Sequence, residues 1–365
     1  MLGVAAPPAP MSVATIPFPF GHSSVTPYVV ADGRGGFDVS WVDRKAKTFN
    51  LAHYDGATWS KADVIAHGDM LENKADYPSI AVSGRNVFAQ WREKAGEGRV
   101  IKLARSPDGG ATWSVPVTPH PVMAREFGFV SMLPLADGTA RISWLDGRRK
   151  GETELRAVTM TATGALGAQQ VVDPRVCDCC QTSMAMTSRG PLVVYRDRSA
   201  KEMRDIAFAA PVADAHSTLV HNDGWHMAGC PVNGPRIEAR GAQAGVAWYT
   251  AADGKPVVNV AFSRDGGATF GAPVRVDAGH PGGRVDLALL DDGSAFVMWV
   301  EMETQPARIM ARRVSETGAL DPSQVLGASR EAIGFPRIAY SNQRLLAAWN
   351  GDDGVHLVMI KPQKR

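Results

Sequence analysis

The chain has 365 residues, 45% of them hydrophobic, and its 39 Lys and Arg residues nearly balance 37 Asp and Glu residues, giving a formal net charge of +2. This balance excludes the concentrated basic surface that nucleic-acid binding requires, so we expect no nucleic-acid partner. No apolar run approaches the roughly 20 residues of a membrane-spanning helix, and we expect no membrane span. The 37 Gly and 24 Pro residues stand between short apolar runs, which is typical of many strands joined by turns.

The first 20 residues, MLGVAAPPAPMSVATIPFPF, are apolar and rich in proline. They lack the basic segment with which a secretory signal begins, and they resemble the start of a mature chain behind an added Met. We expect residues 1–11 to form a flexible segment. Residues 12–365 are predicted to form a single domain.

One pattern repeats along the rest of the chain. A short apolar run ends in an aromatic residue at spacings of 50 to 53 residues, at Trp41, Trp91, Trp144, Tyr195, Trp248, Trp299 and Trp349. A second apolar run precedes each of these positions and a third follows it, which predicts strands A, B and C of a repeated sheet. A fourth run, D, follows in six of the seven units.

The seventh unit has no fourth run, whereas a spare apolar run precedes the first unit. We place residues 12–18 in the last sheet, because this pairs an open strand edge and ties the two ends of the chain together. The predicted fold class is all-β, a seven-bladed β-propeller of four-stranded blades closed by the N-terminal strand. An open solenoid is disfavoured because it would leave both ends uncapped.

Two units carry the signature S-x-D-G-G-x-T-[WF] between strands C and D. Its residues are Ser106, Asp108, Gly110 and Trp113 in the second unit, and Ser263, Asp265, Gly267 and Phe270 in the fifth. In a tight turn the Ser and Asp side chains bond to backbone amides, and glycine accepts a positive φ. The signature resembles the Asp-box, or BNR, repeat of the sialidase-like propeller superfamily. The resemblance implies a structural turn away from the ligand-binding face and, with the proline-rich N-terminus, a periplasmic or secreted protein.

The resemblance does not extend to the catalytic residues of sialidases. Those enzymes have six blades, three arginines that clamp a carboxylate, a Tyr–Glu nucleophile pair, an Asp acid/base and an Arg-Ile-Pro motif on the first blade. The first unit here reads VTPYVVA, and the nearest strings, Gly234-Pro-Arg-Ile237 and Phe335-Pro-Arg-Ile338, come late in the chain. Since a shared fold does not carry an activity with it, we predict that the protein is not a sialidase proper.

Several carboxylates directly follow the aromatic residue of strand B, on loops over the central channel. A glycoside hydrolase or lyase would use a pair of such carboxylates. The alternative is that they are loop residues paired with neighbouring arginines. The catalytic candidates are Asp43, Glu93, Asp146, Asp197 and Glu301.

All four cysteines lie in two loops that precede strand A of the fourth and fifth units. Cys177, Cys179 and Cys180 share one loop, and Cys230 lies on the other. Adjacent blades place the loops side by side at the mouth of the channel, so we expect Cys230 to approach the other three. Three interpretations stay open: disulfides, a thiolate site for Cu(I) or Zn(II), and one bridge with free, redox-active thiols.

We predict an exported propeller that binds copper or zinc through these cysteines, with His226 as a further ligand. A small ligand at the same mouth would meet Arg196, Arg198, Gln181 and Asn233. One rival hypothesis is a carbohydrate-active enzyme that uses the B–C loop carboxylates. Another is a non-catalytic interaction scaffold with two disulfides and a protein partner.

Overall fold

The computed structural model describes residues 11–70, 75–302, 305–330 and 334–362. In these ranges the chain forms 27 β-strands and one single-turn 3-10 helix, Ala252–Gly254. The strands make seven antiparallel sheets, which confirms the predicted seven-bladed propeller. Of the predicted flexible segment, residues 1–10 lie outside the described residues, and Met11 packs against the core. The described part of the chain contains no helix with the length and apolar character needed to cross a membrane.

The strands follow one another in chain order with short connections. They are β1 (Ser12–Ile16), β2 (Ser24–Ala31), β3 (Phe37–Asp43), β4 (Thr48–Tyr54), β5 (Asp63–His67), β6 (Ser79–Ser83), β7 (Asn86–Ala95), β8 (Gly98–Ser106), β9 (Phe127–Pro134), β10 (Ala140–Asp146), β11 (Glu154–Met160), β12 (Gln170–Asp173), β13 (Ser183–Thr187), β14 (Gly190–Arg196), β15 (Ile206–Ala209), β16 (Thr218–Leu219), β17 (Arg236–Arg240), β18 (Gln243–Thr250), β19 (Val257–Ser263), β20 (Val274–Arg275), β21 (Pro281–Leu289), β22 (Ala295–Glu301), β23 (Ala307–Val314), β24 (Gln324–Ser329), β25 (Arg337–Ser341), β26 (Arg344–Gly351) and β27 (Gly354–Lys361). Blades 1 to 7 begin with β2, β6, β9, β13, β17, β21 and β25.

Six blades have four strands, and blade 2 has three, β6 to β8. At the position of its fourth strand a single bridge joins Leu103 to Val117. Pro116 and Pro119 flank this bridge, and proline cannot donate a hydrogen bond to a ladder. The sequence predicts a full fourth strand here, and the two prolines reduce it to one bridge.

The N-terminal strand closes the ring as predicted. β1 pairs antiparallel with β27 from Ser12–Lys361 to Ile16–Leu357, in the sheet that β25 begins. The ladder ends at Ile16, two residues earlier than predicted, because Pro17 follows and has no amide to donate. Phe18 instead packs edge-on against Trp41, with ring centroids 5.2 Å apart. The first strands of neighbouring blades contact each other around the whole ring, including β25 with β2.

The repeated aromatic residues form the core between blades. Trp91, for example, is buried in a cluster with Phe49 of the preceding blade, at a centroid distance of 6.3 Å. A buried aromatic side chain removes a large apolar area from water, so one such residue per blade stabilises each blade interface. All seven are buried: Trp41, Trp91, Trp144, Tyr195, Trp248, Trp299 and Trp349.

The S-x-D-G-G-x-T-F turn of blade 5 is held by side-chain hydrogen bonds. Ser263 Oγ donates to Asp265 Oδ1 (2.7 Å) and accepts from the Gly267 amide (2.9 Å). The Asp265 carboxylate accepts from the amide (3.0 Å) and the hydroxyl (2.6 Å) of Thr269, and these bonds lower the pKa of Asp265. Gly267 has a φ of +79°, which glycine adopts without strain. Phe270 packs against the preceding blade.

The turn of blade 2 has the same bonds. Ser106 Oγ donates to Asp108 (2.8 Å) and accepts from the Gly110 amide (2.8 Å), while Asp108 accepts from Thr112. Gly110 has a φ of +103°. Trp113 Nε1 donates to the Gly110 carbonyl at 2.9 Å. The turn bonds lower the pKa of Asp108 to about 2.

We expect Ser263→Ala to destabilise the protein by about 1–2 kcal/mol, because the buried Gly267 amide loses its acceptor. Ser106→Ala should cost a similar amount, since Ser106 makes the same bonds. Urea unfolding measures both values. The exposed Thr218 is the control, and its replacement by alanine should change stability by less than about 0.5 kcal/mol. Equal values for Ser263→Ala and Thr218→Ala would show that the turn bonds do not stabilise the fold.

Candidate functional site

The two cysteine loops lie at one mouth of the central channel. They precede β13 and β17, and first strands of the blades line the channel. Residues that precede the first strand of a blade and residues that follow its second strand lie at the same end of the sheet. In blade 4 this is visible as a bridge between Val176 and Asp197.

Four cysteine sulfurs lie together at this mouth. Cys179 and Cys230, 51 residues apart, form a disulfide with a Cα–Cα distance of 6.0 Å. Cys177 and Cys180 are free and buried. The Cys177 Sγ lies 3.3 Å from the Cys180 Sγ and 3.8 Å from the Cys179 Sγ. Cys230 reaches the other loop at Cys179, but it does not share a ligand set with Cys177 and Cys180 among the described residues. The cluster has one bridge and two thiols rather than the two bridges of the scaffold hypothesis.

The two free thiols hold their protons with different strength. The hydrogen bond between Cys180 and Cys177 lowers the pKa of Cys177 to about 6, and the positive charges of Arg196 and Arg204 act in the same direction. Burial raises the pKa of Cys180 well above its ordinary value. Cys177 is therefore the more readily deprotonated thiol of the pair, and the thiolate is the form that binds metals and attacks disulfides.

Arg196 ties the two cysteine loops to each other. Its guanidinium donates to the carbonyls of Asn233 (3.0 and 2.7 Å), Arg204 (2.5 Å) and Tyr249 (2.7 Å). The side chain is 1% exposed and lies 4.7 Å from the ring centroid of Trp225. Because each nitrogen already donates within the protein, Arg196 positions the loops and does not face a ligand.

Gln181 and Asn233, also predicted to bind a ligand, make bonds between loops. Gln181 donates to the Ala75 carbonyl (2.6 Å) and accepts from the Gly234 amide (2.9 Å), which links loops of three blades. Asn233 accepts from the Arg284 amide at 2.7 Å and donates to two loop carbonyls. These bonds give both residues a positioning role.

His226 does not join the sulfurs. Among the described residues, two sets of three ligand atoms lie within 4.8 Å of one another: Cys177, Cys179 and Cys180, and Asp178, Cys179 and Cys230. His226 is exposed and belongs to neither set; its backbone forms a bridge with Met203. Asp178, which sequence reasoning passed over, lies beside the bridge, and its position between two cysteines was the available signal.

A pocket of about 420 Å³ opens beside the cluster, and we call it the rim pocket. Asp178 and Cys179 line it, so it reaches the disulfide. Arg198, the fourth predicted ligand-binding residue, also lines it and forms a bidentate pair with Glu202 at 3.0 and 2.8 Å. The basic residues of the rim pocket outnumber its three acidic ones, which are Glu126, Glu152 and Asp178. The basic residues are Arg92, Arg99, Arg125, Arg149, Lys150 and Arg198.

Three of the five predicted catalytic carboxylates bond to the tryptophan two residues earlier. The distances from Trp Nε1 are 2.6 Å to Glu93, 2.9 Å to Asp146 and 3.3 Å to Glu301. Asp146 also pairs with Arg148 (2.6 Å) and Glu301 with Arg308 (3.0 Å). Burial would raise the pKa of Asp146, but the bonds from Arg148 and the indole lower it. These carboxylates orient the core aromatic residues.

The other two candidates differ from each other. Asp43 accepts from the Ser23 hydroxyl and from the amides of Lys45 and Ala46, all at 2.9 Å, so it caps a turn. Asp197 is half-buried, and burial, opposed by the hydrogen bond from the Arg198 amide, raises its carboxyl pKa to about 6. Of the five, Asp197 has the protonation behaviour that suits a general acid or base.

Two arginines meet inside the channel at a carboxylate that sequence reasoning missed. Arg236 and Arg337, from the Gly-Pro-Arg-Ile and Phe-Pro-Arg-Ile strings, approach Asp286 at 2.7 and 3.8 Å. The Arg337 guanidinium also lies 5.0 and 5.2 Å from the ring centroids of Tyr28 and Tyr77. Asp286 thus neutralises part of the positive charge of the two arginines.

Glu238 gives the channel a pH dependence. Its side chain is open to the solvent of the channel, yet desolvation by the strands around the channel raises its carboxyl pKa from 4.5 to about 7 against the lowering effect of Arg236. Because the folded state holds this proton more tightly than the unfolded state, stability falls as the pH rises between these values. We expect Glu238→Gln to raise the unfolding temperature at pH 8 and to leave it nearly unchanged at pH 5. The control is the exposed Glu97→Gln, and an equal effect of Glu238→Gln at both pH values would refute the assignment.

Comparisons with known proteins support the fold. No protein-family model and no curated protein matches the sequence. A structure of a PL25 ulvan lyase matches 94% of this chain and 95% of its own at 10% identity, with a TM-score of 0.60. A second structure of this type of enzyme, bound to -[GlcA(1-4)Rha3S]-, matches with a TM-score of 0.59 at the same identity and coverage. The subtype N10 neuraminidase-like protein of a little yellow-shouldered bat strain matches 92% of this chain and 94% of its own at 9% identity, with a TM-score of 0.50.

These likenesses establish a fold and nothing finer. At identities near 10%, a shared propeller carries no residue of one protein's site onto another. They support a β-propeller fold for this chain. The function is therefore argued from the chain's own side chains at the channel mouth.

Proposed function

We propose that this propeller binds a soft metal ion, Cu(I) or Zn(II), at the mouth of its channel through the thiolates of Cys177 and Cys180. The observation that carries the proposal is a pair of buried free thiols whose sulfurs lie 3.3 Å apart. Cys179 adds a third sulfur within 4.8 Å of both. Thiolates are preferred ligands of Cu(I) and Zn(II).

The sulfur separations suit a shared ion. Zinc–sulfur bonds of about 2.3 Å place two sulfurs about 3.8 Å apart in a tetrahedral site. The separation of 3.3 Å between the two free thiols lies within about 0.5 Å of that value. The ligands would therefore need only small side-chain movements to close on an ion.

The charges around the cluster favour bound thiolates. The positive Arg196 and Arg204 help to lower the pKa of Cys177. A metal must displace the thiol protons, so a thiol that is already deprotonated near pH 7 binds more readily. Burial of Cys177 and Cys180 also keeps water from competing as a ligand.

The state of the bridge sets how many thiolates are offered. With Cys179–Cys230 intact, the two thiols suit Cu(I), which accepts soft thiolates at low ligand number. Reduction frees Cys179 as a third thiol within 4.8 Å of both Cys177 and Cys180, and three thiolates suit Zn(II) better than two. The bridge also supports export, because disulfides persist in oxidising compartments.

An anaerobic titration tests the proposal. Protein with its bridge intact is titrated with Cu(I) against a chromogenic chelator, and the same titration is repeated after reduction and with Zn(II). We expect one Cu(I) per chain before reduction, and Zn(II) binding that strengthens after reduction. Free thiols at Cys177 and Cys180 with no retention of either ion would refute the proposal.

A second candidate function is the binding or cleavage of an acidic polysaccharide. It is supported by the basic lining of the rim pocket and by the fold shared with an ulvan lyase. Asp197 would be the titrating group. This candidate predicts that a uronate-containing polysaccharide is retained by the protein or converted to unsaturated products that absorb in the ultraviolet. If the protein neither retains nor converts the polysaccharide at low ionic strength, this candidate function is refuted.

A further inference from the structure

The rim pocket leads from solvent to the disulfide. Cys179 forms part of its wall, and Cys230 on the other side of the bridge is exposed. A molecule in the pocket therefore lies against Cys179 and against Asp178, whose carboxylate is within 4.8 Å of both bridge sulfurs. Buried disulfides are protected from thiols, whereas accessible ones exchange with them.

The protein neutralises only part of the positive charge that lines the rim pocket. Arg99, Arg149 and Arg198 are paired with Glu126, Glu154 and Glu202.

Arg125 and Lys150 are exposed, line the pocket, and have no ion pair with any described residue. Asp178 adds a negative charge to the same pocket. Its carboxylate lies within 4.8 Å of both bridge sulfurs. Glu152, a further acidic residue of the wall, is paired with Arg175. The lining of the pocket therefore contains two cations without an ion pair to a described residue, Arg125 and Lys150, and one carboxylate beside the bridge, Asp178.

We propose that the rim pocket binds small anionic thiols and that these reduce the Cys179–Cys230 disulfide. The ligand class follows from two properties of the pocket: a disulfide-bonded cysteine in its wall calls for a thiol, and the cations Arg125 and Lys150 in its lining favour a carboxylate or sulfonate on that thiol. This activity can be tested apart from metal binding, because the exchange needs no metal ion and is followed on metal-free protein.

The exchange balances in two steps. The ligand thiolate attacks the Cys179 Sγ, the sulfur–sulfur bond breaks, and its electron pair leaves with Cys230, which takes a proton from water. A second ligand thiolate attacks the ligand sulfur of the mixed disulfide, releasing the oxidised ligand and leaving Cys179 as a thiolate. Two thiols are oxidised to one disulfide, and one protein disulfide is reduced to two thiols.

The mixed disulfide at Cys179 can also react with Cys177. Its sulfur lies 3.8 Å from the Cys179 sulfur. Attack by Cys177 on Cys179 returns the ligand thiolate and moves the bridge within the cluster. The product distribution therefore reports whether exchange took place at Cys179.

The experiment compares 2-mercaptoethanesulfonate, which is anionic, with 2-mercaptoethanol, which is neutral. Metal-free protein is reduced anaerobically in a chelator, quenched by alkylation, and mapped by mass spectrometry for newly labelled Cys230. Rate constants are expressed per thiolate. We expect the anionic thiol to react about tenfold faster at low ionic strength, with the advantage decreasing in salt.

Two matched variants locate the effect. Arg125→Glu with Lys150→Glu should abolish the advantage of the anionic thiol and leave the neutral thiol unchanged. Lys61→Glu with Lys255→Glu makes the same change of charge at exposed residues outside the pocket, and it should have little effect. Equal rate constants for the two thiols on the wild-type protein, or equal losses in both variants, would overturn the proposal. Cu(I) binding by the same protein is measured separately, so failure of one proposal leaves the other standing.

Discussion

Replacing both Cys177 and Cys180 by serine is expected to weaken Cu(I) binding by at least about a hundredfold, which exceeds the usual cost of removing a supporting residue around a metal. The double variant loses both free thiols, and a serine hydroxyl is not deprotonated near neutral pH. The two sulfurs lie 3.3 Å apart and are buried, so no solvent-exposed group replaces them. Competition with a chromogenic Cu(I) chelator measures the loss.

Cys230→Ser is the matched control for this result. It removes one cysteine from the same cluster, breaks the bridge and turns Cys179 into a third thiol beside Cys177. We expect it to retain or increase the affinity for Cu(I). A loss in Cys230→Ser as large as in the double variant would mean that the Cys177–Cys180 pair is not the site.

Replacing Arg196 by methionine is expected to have the largest effect on stability, about 3–5 kcal/mol. The substitution fills a similar volume but leaves three carbonyls without the donors they now have, those of Asn233, Arg204 and Tyr249. It also removes the cation from the face of Trp225. Urea unfolding at neutral pH measures the change.

Arg198→Met provides the comparison. Arg198 is two residues away and partly exposed, and its pairing with Glu202 should contribute at most about 1 kcal/mol. Arg196→Met should in addition expose the buried thiols, so alkylation of Cys177 should accelerate in that variant and not in Arg198→Met. Similar unfolding energies for the two variants would contradict the positioning role of Arg196.

The repeat made the fold predictable because each blade interface uses one aromatic residue at the same strand position. Trp91 and Trp299 mark this position in the sequence as clearly as in the structure. Local deviations arise where proline removes a donor: Pro17 ends β1, and Pro116 lies in the reduced fourth strand of blade 2. Both prolines are visible in the sequence, but their effect on the sheet depends on which residue faces the neighbouring strand.

The site was predictable only in part. Ring topology brings Cys230 to Cys179, but the choice of partner among three neighbouring cysteines depends on distances that spacing does not give. Arg196 and Gln181 were expected to face a ligand, and their actual acceptors and donors are mainly backbone groups of other loops, which no sequence pattern shows. The bond from Trp144 to Asp146, by contrast, follows from a separation of two residues and was readable.

X-ray absorption at the metal edge tests the central claim most directly. The protein is loaded with one equivalent of Cu(I), and with Zn(II) after reduction, and the atoms bound to each ion are identified from their distances. The account predicts sulfur ligands only, at about 2.3 Å for zinc. A first shell of nitrogen and oxygen atoms, unchanged when Cys177 and Cys180 are replaced by serine, would contradict it.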